Sequence, residues 1–386
     1  MQHSIRKIAF GLLRWTGIIR LFQFLHRNQI VILTVHGVMD NCHPALWEPL
    51  RPQLPPHKLD EYLRALSRRY HFVSLSEAVE MLDGRKPIQP YSIVLTFDDG
   101  YRNNFTHALP ILRRYSAPAT FFVATDFAGS PRPFWFDRLD YALQQVPVHG
   151  REVRVGSLAM RLDASSRNAL CESYKRLRRT AKRLQMSDYE FLDEMDRVAV
   201  QLEAESGHSL AQVQQDDDWS AIATWDVIRE AVGEDVTIGS HTADHIRLGH
   251  VSEGVARDQL IRSKQDIEEN THEPCWCVCY PNGSYAEAPL RLARECAYAC
   301  GLTTEEGLNS VGDDIMRLKR LNLPIDVTSS ELLTAVSGLS KCVSQVKRKM
   351  KELLAIVGRA PGRQDLCMSG SLTREPEPFL PSVLAE

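Results

Sequence analysis

Short apolar runs, rich in β-branched residues, alternate along this chain with stretches that repeat apolar positions at helical spacing. The short runs are predicted as buried strands at 30–36, 92–96, 119–124, 236–240, 276–280 and 299–303. The longer stretches are predicted as helices, for example at 59–69, 76–82, 108–115, 255–269 and 286–296. Regular alternation of strand and helix is typical of an α/β protein, so we expect a parallel α/β barrel.

The alternation breaks between residues 126 and 225, which we interpret as a helical insertion into the barrel domain. Within it, residues 164–205 are rich in charge, and the run 174–179 is interpreted as a solvated helix face rather than a ligand site. We therefore divide the chain into a basic amphipathic N-terminal helix, a main domain, and a C-terminal helix with a disordered tail, at 1–29, 30–335 and 336–386.

Composition narrows the classes of function. The chain has 386 residues, 44% of them hydrophobic and 25% charged, which is enough to bury a full core. A formal net charge of −3, with no zinc-finger or helix-turn-helix signature, predicts no nucleic-acid partner. Cys275, Cys277 and Cys279 alternate along one predicted strand, which favours packing on one face over metal ligation; the thiols are expected to be free in a reducing cytoplasm.

Polar residues follow two of the predicted strands. Asp98 and Asp99 come just before Gly100, and a turn at that glycine would aim both carboxylates into one cleft. His241 and His245 follow another strand at a spacing that suits one metal ion. Each piece alone has a simpler explanation, as a solvated turn or as structural histidines. Together they favour a site in which Asp99, His241 and His245 hold zinc and leave one position open for chemistry.

These segments resemble the polysaccharide deacetylase family, carbohydrate esterases that share the NodB homology domain. Thr96-Phe97-Asp98-Asp99-Gly100 matches the first family motif, and His241-Thr242-Ala243-Asp244-His245 matches the second. The resemblance covers about residues 30 to 325. It implies a distorted (β/α)7 barrel and the hydrolysis of an N-acetyl group on an amino sugar.

The resemblance also assigns roles to the four matched side chains. It implies that Asp98 is the general base and that Asp99, His241 and His245 bind a divalent metal, with zinc as the expected ion. The ion would make a water molecule nucleophilic and polarise the acetamido carbonyl, while the base takes the proton of the water.

The third family motif, Arg-x-Pro-x-Gly in many members, is replaced here by Cys279-Tyr280-Pro281-Asn282-Gly283. The backbone N–H of Asn282 is the predicted donor to the oxyanion, since Pro281 has none. The motif arginine is absent, and Arg320, near the end of a late strand, is the candidate that braces Asp98 instead. The alternative is that Arg320 is a surface arginine on an edge strand.

The late Leu-x-His motif that supplies the proton donor in most members is absent after residue 283. Instead, the strand at 30–36 ends in His36, which resembles a permuted subgroup that includes the poly-N-acetylglucosamine deacetylases. By that resemblance His36 is the general acid, because a histidine protonated near neutral pH can donate to the departing nitrogen.

The segment 8–25 is mostly apolar, but Arg14 and Arg20 interrupt it. Each arginine would cost roughly 2.5 to 3.5 kcal/mol at the centre of a bilayer, which argues against a membrane span. With no small-residue cleavage site after it, a removed signal peptide is not expected either. The segment is predicted to be a basic amphipathic helix that lies on an anionic membrane or covers the bottom of the barrel. We therefore expect a cytoplasmic enzyme, with peripheral contact at the inner membrane as one alternative.

The sequence thus predicts a metal-dependent carbohydrate deacetylase that acts on a polysaccharide or glycan precursor in exopolysaccharide biosynthesis. Trp135 could line a glycan groove, although a core position is favoured. One alternative is a catalytically silent glycan-binding module of the same fold. A second, another metal hydrolase such as a phosphoesterase, is disfavoured because only one histidine pair and no Gly-rich phosphate loop are found.

Overall fold

A closed parallel barrel of seven strands forms the centre of the molecule. The computed structural model describes residues 16–39, 47–283 and 286–339. Around the barrel the strands follow the order β1, β10, β9, β8, β7, β4 and β3, and pairing of β1 with β3 closes the ring, with β2 attached outside β3. The predicted (β/α)7 barrel is therefore confirmed. The strands of this sheet are β1 Val31–Val35, β2 His71–Phe72, β3 Ser92–Phe97, β4 Ala119–Val123, β7 Val236–Ser240, β8 Cys277–Cys279, β9 Cys300–Glu306 and β10 Leu318–Asn322.

Helices surround the barrel, and several begin at a residue whose side chain caps the first turn. Ser74 and Thr328 each form a capping box with a glutamate three residues later. The predicted helices are present, with ends displaced by a few residues. The helices are α1 Ile18–Leu25, α2 Pro56–Leu66, α3 Leu75–Leu82, α4 Leu109–Arg114, α5 Trp135–Gln144, α6 Arg167–Ala181, α7 Asp188–Ser206, α8 Leu210–Val213, α9 Trp225–Ala231, α10 Glu253–Thr271, α11 Glu287–Glu295 and α12 Ser329–Val336.

The barrel strands are buried on both faces, as expected for a parallel sheet covered by helices. The cysteines predicted to pack together are free and buried, but they do not share one face. Cys277 and Cys279 belong to one apolar cluster with Phe122 and Leu302, whereas Cys275 precedes β8 and packs in the larger cluster. The prediction that these cysteines pack in the core is confirmed. The prediction that all three lie on one face of a strand is wrong, because β8 begins after Cys275.

The insertion between β4 and β7 has an apolar core of its own, built from α5, α6 and α7. The insertion is mainly helical, as expected, and also contains an antiparallel hairpin that was not predicted, β5 Glu152–Val155 and β6 Leu158–Arg161. These strands are only four residues each, which is too short for alternation to stand out in the sequence. A buried ion pair between Asp188 of α7 and Arg247 joins the insertion to the loop after His245.

Helix α1 packs with Ile19 and Gln23 buried, while Leu21, Phe24 and Leu25 are exposed. One side of the helix therefore covers the domain, and apolar side chains lie on the other. No helix of the described residues is long and apolar enough to span a membrane. Residues 1–15 and the predicted tail beyond 339 lie outside the described residues. Peripheral membrane contact and the cytoplasmic location stay predictions.

Candidate active site

A left-handed turn after β3 positions the two adjacent aspartates. The backbone N–H of Asp98 donates to the carbonyl of Val35 at 2.9 Å, which fixes the end of the strand between β1 and β3. Asp99 and Gly100 then adopt φ angles of 73° and 80°. A Cβ atom at Gly100 would lie 3.3 Å from a methyl carbon of Val123, so glycine suits both the angle and the space. The turn directs both carboxylates into the barrel end.

Asp99, His241 and His245 come together at this end of the barrel. Asp99 Oδ1 lies 3.5 Å from Nε2 of His241 and 3.3 Å from Nε2 of His245. Nδ1 of His241 is 2.8 Å from the carbonyl oxygen of Cys279. Because a carbonyl oxygen can only accept, Nδ1 carries a proton and Nε2 faces the aspartate, as in metal sites where a carbonyl orients the ligand.

The arrangement fits a metal ion. The three ligand atoms lie within 4.8 Å of one another, and all three side chains are buried. Oδ2 of Asp99 is buried without a hydrogen-bond partner, which is costly unless a cation interacts with the carboxylate. Two ligands about 2.0 Å from a tetrahedral zinc ion lie roughly 3.3 Å apart, close to the spacing found here.

A second group, Asp98 with His241 and Cys279, also brings three potential ligands together. It suits a metal less well. The carboxylate of Asp98 is already held by Arg320, and burial raises the pKa of the Cys279 thiol, whereas a metal needs the thiolate. The thiol instead lies 3.6 Å from Oδ2 of Asp98, as a weak donor to that carboxylate.

Burial and neighbouring groups shift the pKa values of Asp99 and His245 away from their ordinary values. Burial raises the pKa of Asp99, but the neighbouring imidazoles of His241 and His245 outweigh it and hold the pKa well below its usual range. Burial lowers the pKa of His245 and favours the neutral imidazole, the form that binds metals. The two histidine-bearing turns are also strained, since Thr242 and His245 have φ angles of 64° and 55°.

Asp98 is held by a two-pronged ion pair. Nη1 of Arg320 donates to Oδ1 at 2.8 Å, and Nη2 donates to Oδ2 at 2.7 Å. Burial raises the pKa of Asp98, but the charge and hydrogen bonds of Arg320 outweigh it and lower the pKa to about 2. The side chain is therefore a carboxylate throughout the neutral range.

Arg320 spans the interior of the barrel end. Its Nε donates to the carbonyl of Thr303 on β9 at 2.9 Å, and Nη1 donates to the hydroxyl oxygen of Thr34 on β1 at 2.9 Å. The side chain is only 1% exposed. The alternative of a surface arginine on an edge strand is therefore wrong, because pairing with β1 and β9 places β10 inside the closed barrel. The place of the missing motif arginine is taken by Cys279, and a different strand supplies the guanidinium.

The remaining predicted residues border the same cluster. His36 follows β1 directly, is half-buried, and lowers the pKa of both Asp98 and Asp99. Asn282 has a left-handed φ of 54°, and its side-chain oxygen accepts a hydrogen bond from Nζ of Lys182 in the insertion. Their roles as general acid and oxyanion donor stay predictions, although the structure brings both to the site.

Two aromatic rings for which the sequence predicted no role pack against His245, one of the predicted metal ligands. Ring centroids of Phe134 and Phe136 lie 5.2 and 5.6 Å from that of His245. Trp135 is buried in the core of the insertion, as favoured. The run 134–136 was noticeable as an aromatic cluster, but only the helix start at Trp135 determines which rings point towards the site.

Comparison with known proteins agrees with this geometry. A sequence model of the family described as polysaccharide deacetylase matches residues 85–301, more than half of the chain. The matched segment contains Asp98, Asp99 and both histidines of the triad. Strand β1, which His36 follows, and strand β10, which carries Arg320, lie outside it and complete the barrel.

Three proteins show the extent of the similarity. YxkH of Bacillus subtilis is 19% identical over 279 residues, which cover 72% of this chain and 68% of that protein. The poly-beta-1,6-N-acetyl-D-glucosamine N-deacetylase of Escherichia coli K12 is 36% identical over 104 residues, 27% of this chain and only 15% of its own length. The Streptococcus pyogenes deacetylase PplD, solved with acetate, has a TM-score of 0.51 at 19% identity, over 80% of this chain and 98% of its own, and so shares the fold. The chain belongs to the polysaccharide deacetylase family and is a hydrolase that deacetylates carbohydrate.

Proposed function

We propose that this enzyme hydrolyses the N-acetyl group of an amino sugar and depends on a zinc ion bound by Asp99, His241 and His245. The observation that carries the proposal is the juxtaposition of two differently held carboxylates. Asp99 has an unpartnered oxygen beside two imidazoles, whereas Asp98, its neighbour, is ionised and gripped by Arg320. Asp99 is therefore suited to bind a cation, and Asp98 is suited to accept a proton.

The chemistry divides between the ion and the protein. A bound zinc ion supplies Lewis-acid activation of water and of the acetamido carbonyl. Asp98 orients the attacking water and accepts its proton; a carboxylate oxygen in a bidentate pair with Arg320 retains a further lone pair for this contact. Because the pKa of Asp98 is about 2, its carboxylate is ionised and available to accept this proton at neutral pH.

Two further groups complete the reaction. We assign the backbone N–H of Asn282 as donor to the developing oxyanion, and its side chain is fixed by Lys182 so that the turn keeps its shape. We assign His36 as the acid that protonates the departing nitrogen. It lies close enough to influence both aspartates, yet no carboxylate of the described residues forms an ion pair with it.

The amino sugar is proposed from the relatives. The Escherichia coli protein is named for poly-beta-1,6-N-acetyl-D-glucosamine, and N-acetylglucosamine units are the corresponding first choice here. Purified protein loaded with zinc is expected to release acetate and a free amine from β-1,6-linked N-acetylglucosamine oligomers, and to stop when a chelator removes the ion. Failure to release acetate from β-1,6-linked or β-1,4-linked oligomers, with zinc bound, would contradict the proposal.

Replacement of His36 by alanine tests the proton donor. We expect His36→Ala to keep its zinc and to lose roughly 100- to 10,000-fold in kcat, because the nitrogen must then leave without a positioned acid. Bound zinc and acetate release are measured on the same sample. His71→Ala is the matched control, since His71 is exposed on β2, outside the ring of seven strands. Unchanged turnover in His36→Ala would remove this residue from the mechanism.

A further inference from the structure

Arg178, on helix α6 of the insertion, is a largely buried cation for which the described residues provide no ion-pair partner. It is 8% exposed, and its Nε is fully buried with no hydrogen bond. Among the residues that the structure describes, none forms an ion pair or hydrogen bond with this side chain; Nε is buried, whereas the two Nη groups keep some accessible surface. Buried charges in proteins are normally paired or bind a ligand, because an uncompensated charge away from water is costly.

Aromatic rings surround the guanidinium and connect it to the metal centre. The Cζ atom of Arg178 lies 5.3 Å from the ring centroid of Tyr174, and 5.7 Å from those of Trp135 and Phe136. Phe136 in turn contacts the ring of His245. A single aromatic side chain therefore separates the unpaired cation from a predicted metal ligand.

A second guanidinium packs against the same ring. The Cζ atom of Arg51 lies 4.2 Å from the centroid of Phe136, and its Nε is also buried without a partner. Burial lowers the pKa of Arg51, but the opposite effect of Tyr101, Asp137 and Asp99 is larger. The pKa is therefore raised, and the charge is retained. Among the described residues, the carboxylate of Asp137 contacts Arg51, and it also accepts from the Tyr101 hydroxyl at 2.7 Å.

The face of α6 that carries Arg178 is directed at the catalytic end. Four residues later, Lys182 donates to Asn282 in the motif turn and lowers the pKa of His245. Residues four apart share one face of a helix, so Arg178 and Lys182 lie on the same side. The carboxylate of Asp137, whose pKa Arg178 lowers, is already engaged by Arg51 and Tyr101 and does not pair with Arg178.

We propose that Arg178 and Arg51 form an anion subsite beside the metal centre, and that the N-acetylated sugar carries a phosphate or carboxylate group bound there. The guanidinium fork recognises both groups through paired charge-assisted hydrogen bonds. The proposal rests on the deacetylase function proposed above and adds the charge of its substrate. A neutral homopolymer would leave Arg178 without an anionic partner, and Arg51 with the carboxylate of Asp137 that Tyr101 shares.

Three sugars distinguish the sources of the anion. N-acetylglucosamine 1-phosphate carries the phosphate, a disaccharide of N-acetylglucosamine and glucuronic acid carries the carboxylate, and the methyl glycoside of N-acetylglucosamine is neutral. With zinc-loaded enzyme, acetate release is expected to be at least about tenfold higher in kcat/KM for one anionic sugar than for the neutral one. Equal values for all three would overturn the proposal.

Arg178→Met is expected to lower kcat/KM roughly 10- to 100-fold more for the preferred anionic sugar than for the neutral sugar, mainly through KM. Arg179→Met is the matched control, because Arg179 is the exposed neighbour on the same helix and loses the same charge. Equal losses for anionic and neutral sugars, with a lower melting temperature, would show that Arg178 only supports the fold.

Calorimetric titration of the same sugars separates this subsite from the metal and from the proposed reaction. Binding of the anionic sugar is expected to persist in His241→Ala and to weaken in Arg178→Met. Binding lost in His241→Ala but kept in Arg178→Met would place the anion on the metal and overturn the subsite. If none of the sugars releases acetate, the proposed function fails, while the titrations still decide whether the anion subsite exists.

Discussion

Asp98→Asn is expected to bind zinc as the parent protein does and to lose about 100- to 10,000-fold in kcat, the contribution that a positioned general base typically makes. The amide keeps an oxygen that can accept from Arg320, but it cannot take a proton from water. Its carboxylate neighbour Asp99 is left intact with both imidazoles. Acetate release and bound zinc, measured together, separate the loss of the base from loss of the ion.

The control for this substitution is Asp226→Asn. Asp226 is 82% exposed and pairs with Arg229 on the surface, so the same chemical change there should leave turnover unaltered. If Asp98→Asn retained turnover within about threefold of the parent, the assignment of Asp98 as base would be wrong.

Arg320→Met is expected to lower the free energy of unfolding at pH 7 by about 3 to 5 kcal/mol, because it leaves the carboxylate of Asp98 buried and uncompensated. The methionine has similar length but cannot replace the bonds to Thr303, Thr34 and Asp98. Denaturant unfolding of zinc-free protein measures this cost. Arg317→Met is the control: Arg317 pairs with Glu305 on the surface, and its loss is expected to cost less than about 1 kcal/mol.

The pH dependence of this cost has a definite sign. In the parent protein the pKa of Asp98 falls from 3.8 to about 2 on folding, so its contribution of about 2 kcal/mol is present above pH 4 and is lost as pH falls through 2. Without Arg320, burial alone raises the pKa of Asp98 above its ordinary value. Acid then protonates the carboxylate, so the difference between parent and Arg320→Met should shrink between pH 7 and pH 4. A difference that is constant with pH would show that the pair does not set the ionisation of Asp98.

The barrel could be predicted because its strands are buried on both sides. Continuous apolar runs such as 92–96 and 236–240 have few alternative explanations, and β7 has the predicted ends, Val236–Ser240. The hairpin β5 and β6 could not be predicted, since strands of four residues carry too little periodicity. Strand β2, with only two residues, was missed for the same reason.

The proximity of Asp99, His241 and His245 could be predicted from residue types and spacing, because the ends of parallel strands meet at one edge of the barrel. The partner of Asp98 was harder to place. Arg320 lies 222 residues from Asp98 in sequence, and only closure of the barrel through β1 and β10 brings them together. Sequence left it open whether this arginine was buried, and the structure resolves the alternatives.

For the charged run 174–179, the structure contradicts part of the prediction from sequence. It was interpreted as a solvated face, and for Arg178 that interpretation is wrong, because this residue is buried beside Tyr174 and Leu177. The signal was available: Tyr174, Leu177, Arg178 and Ala181 occupy one helical stripe, and the other three are core residues. A charged residue on an apolar helical stripe is buried, unlike a charged residue on a solvated face. Helical spacing, rather than composition, distinguishes the two.

Zinc stoichiometry of the purified protein beside His241→Ala tests the central claim most directly. After zinc loading and desalting, elemental analysis should find one equivalent in the parent protein and none in His241→Ala. His250→Ala, an exposed histidine nine residues later, should keep the full equivalent. Zinc absent from the parent, or retained in His241→Ala, would contradict a catalytic metal held by Asp99, His241 and His245.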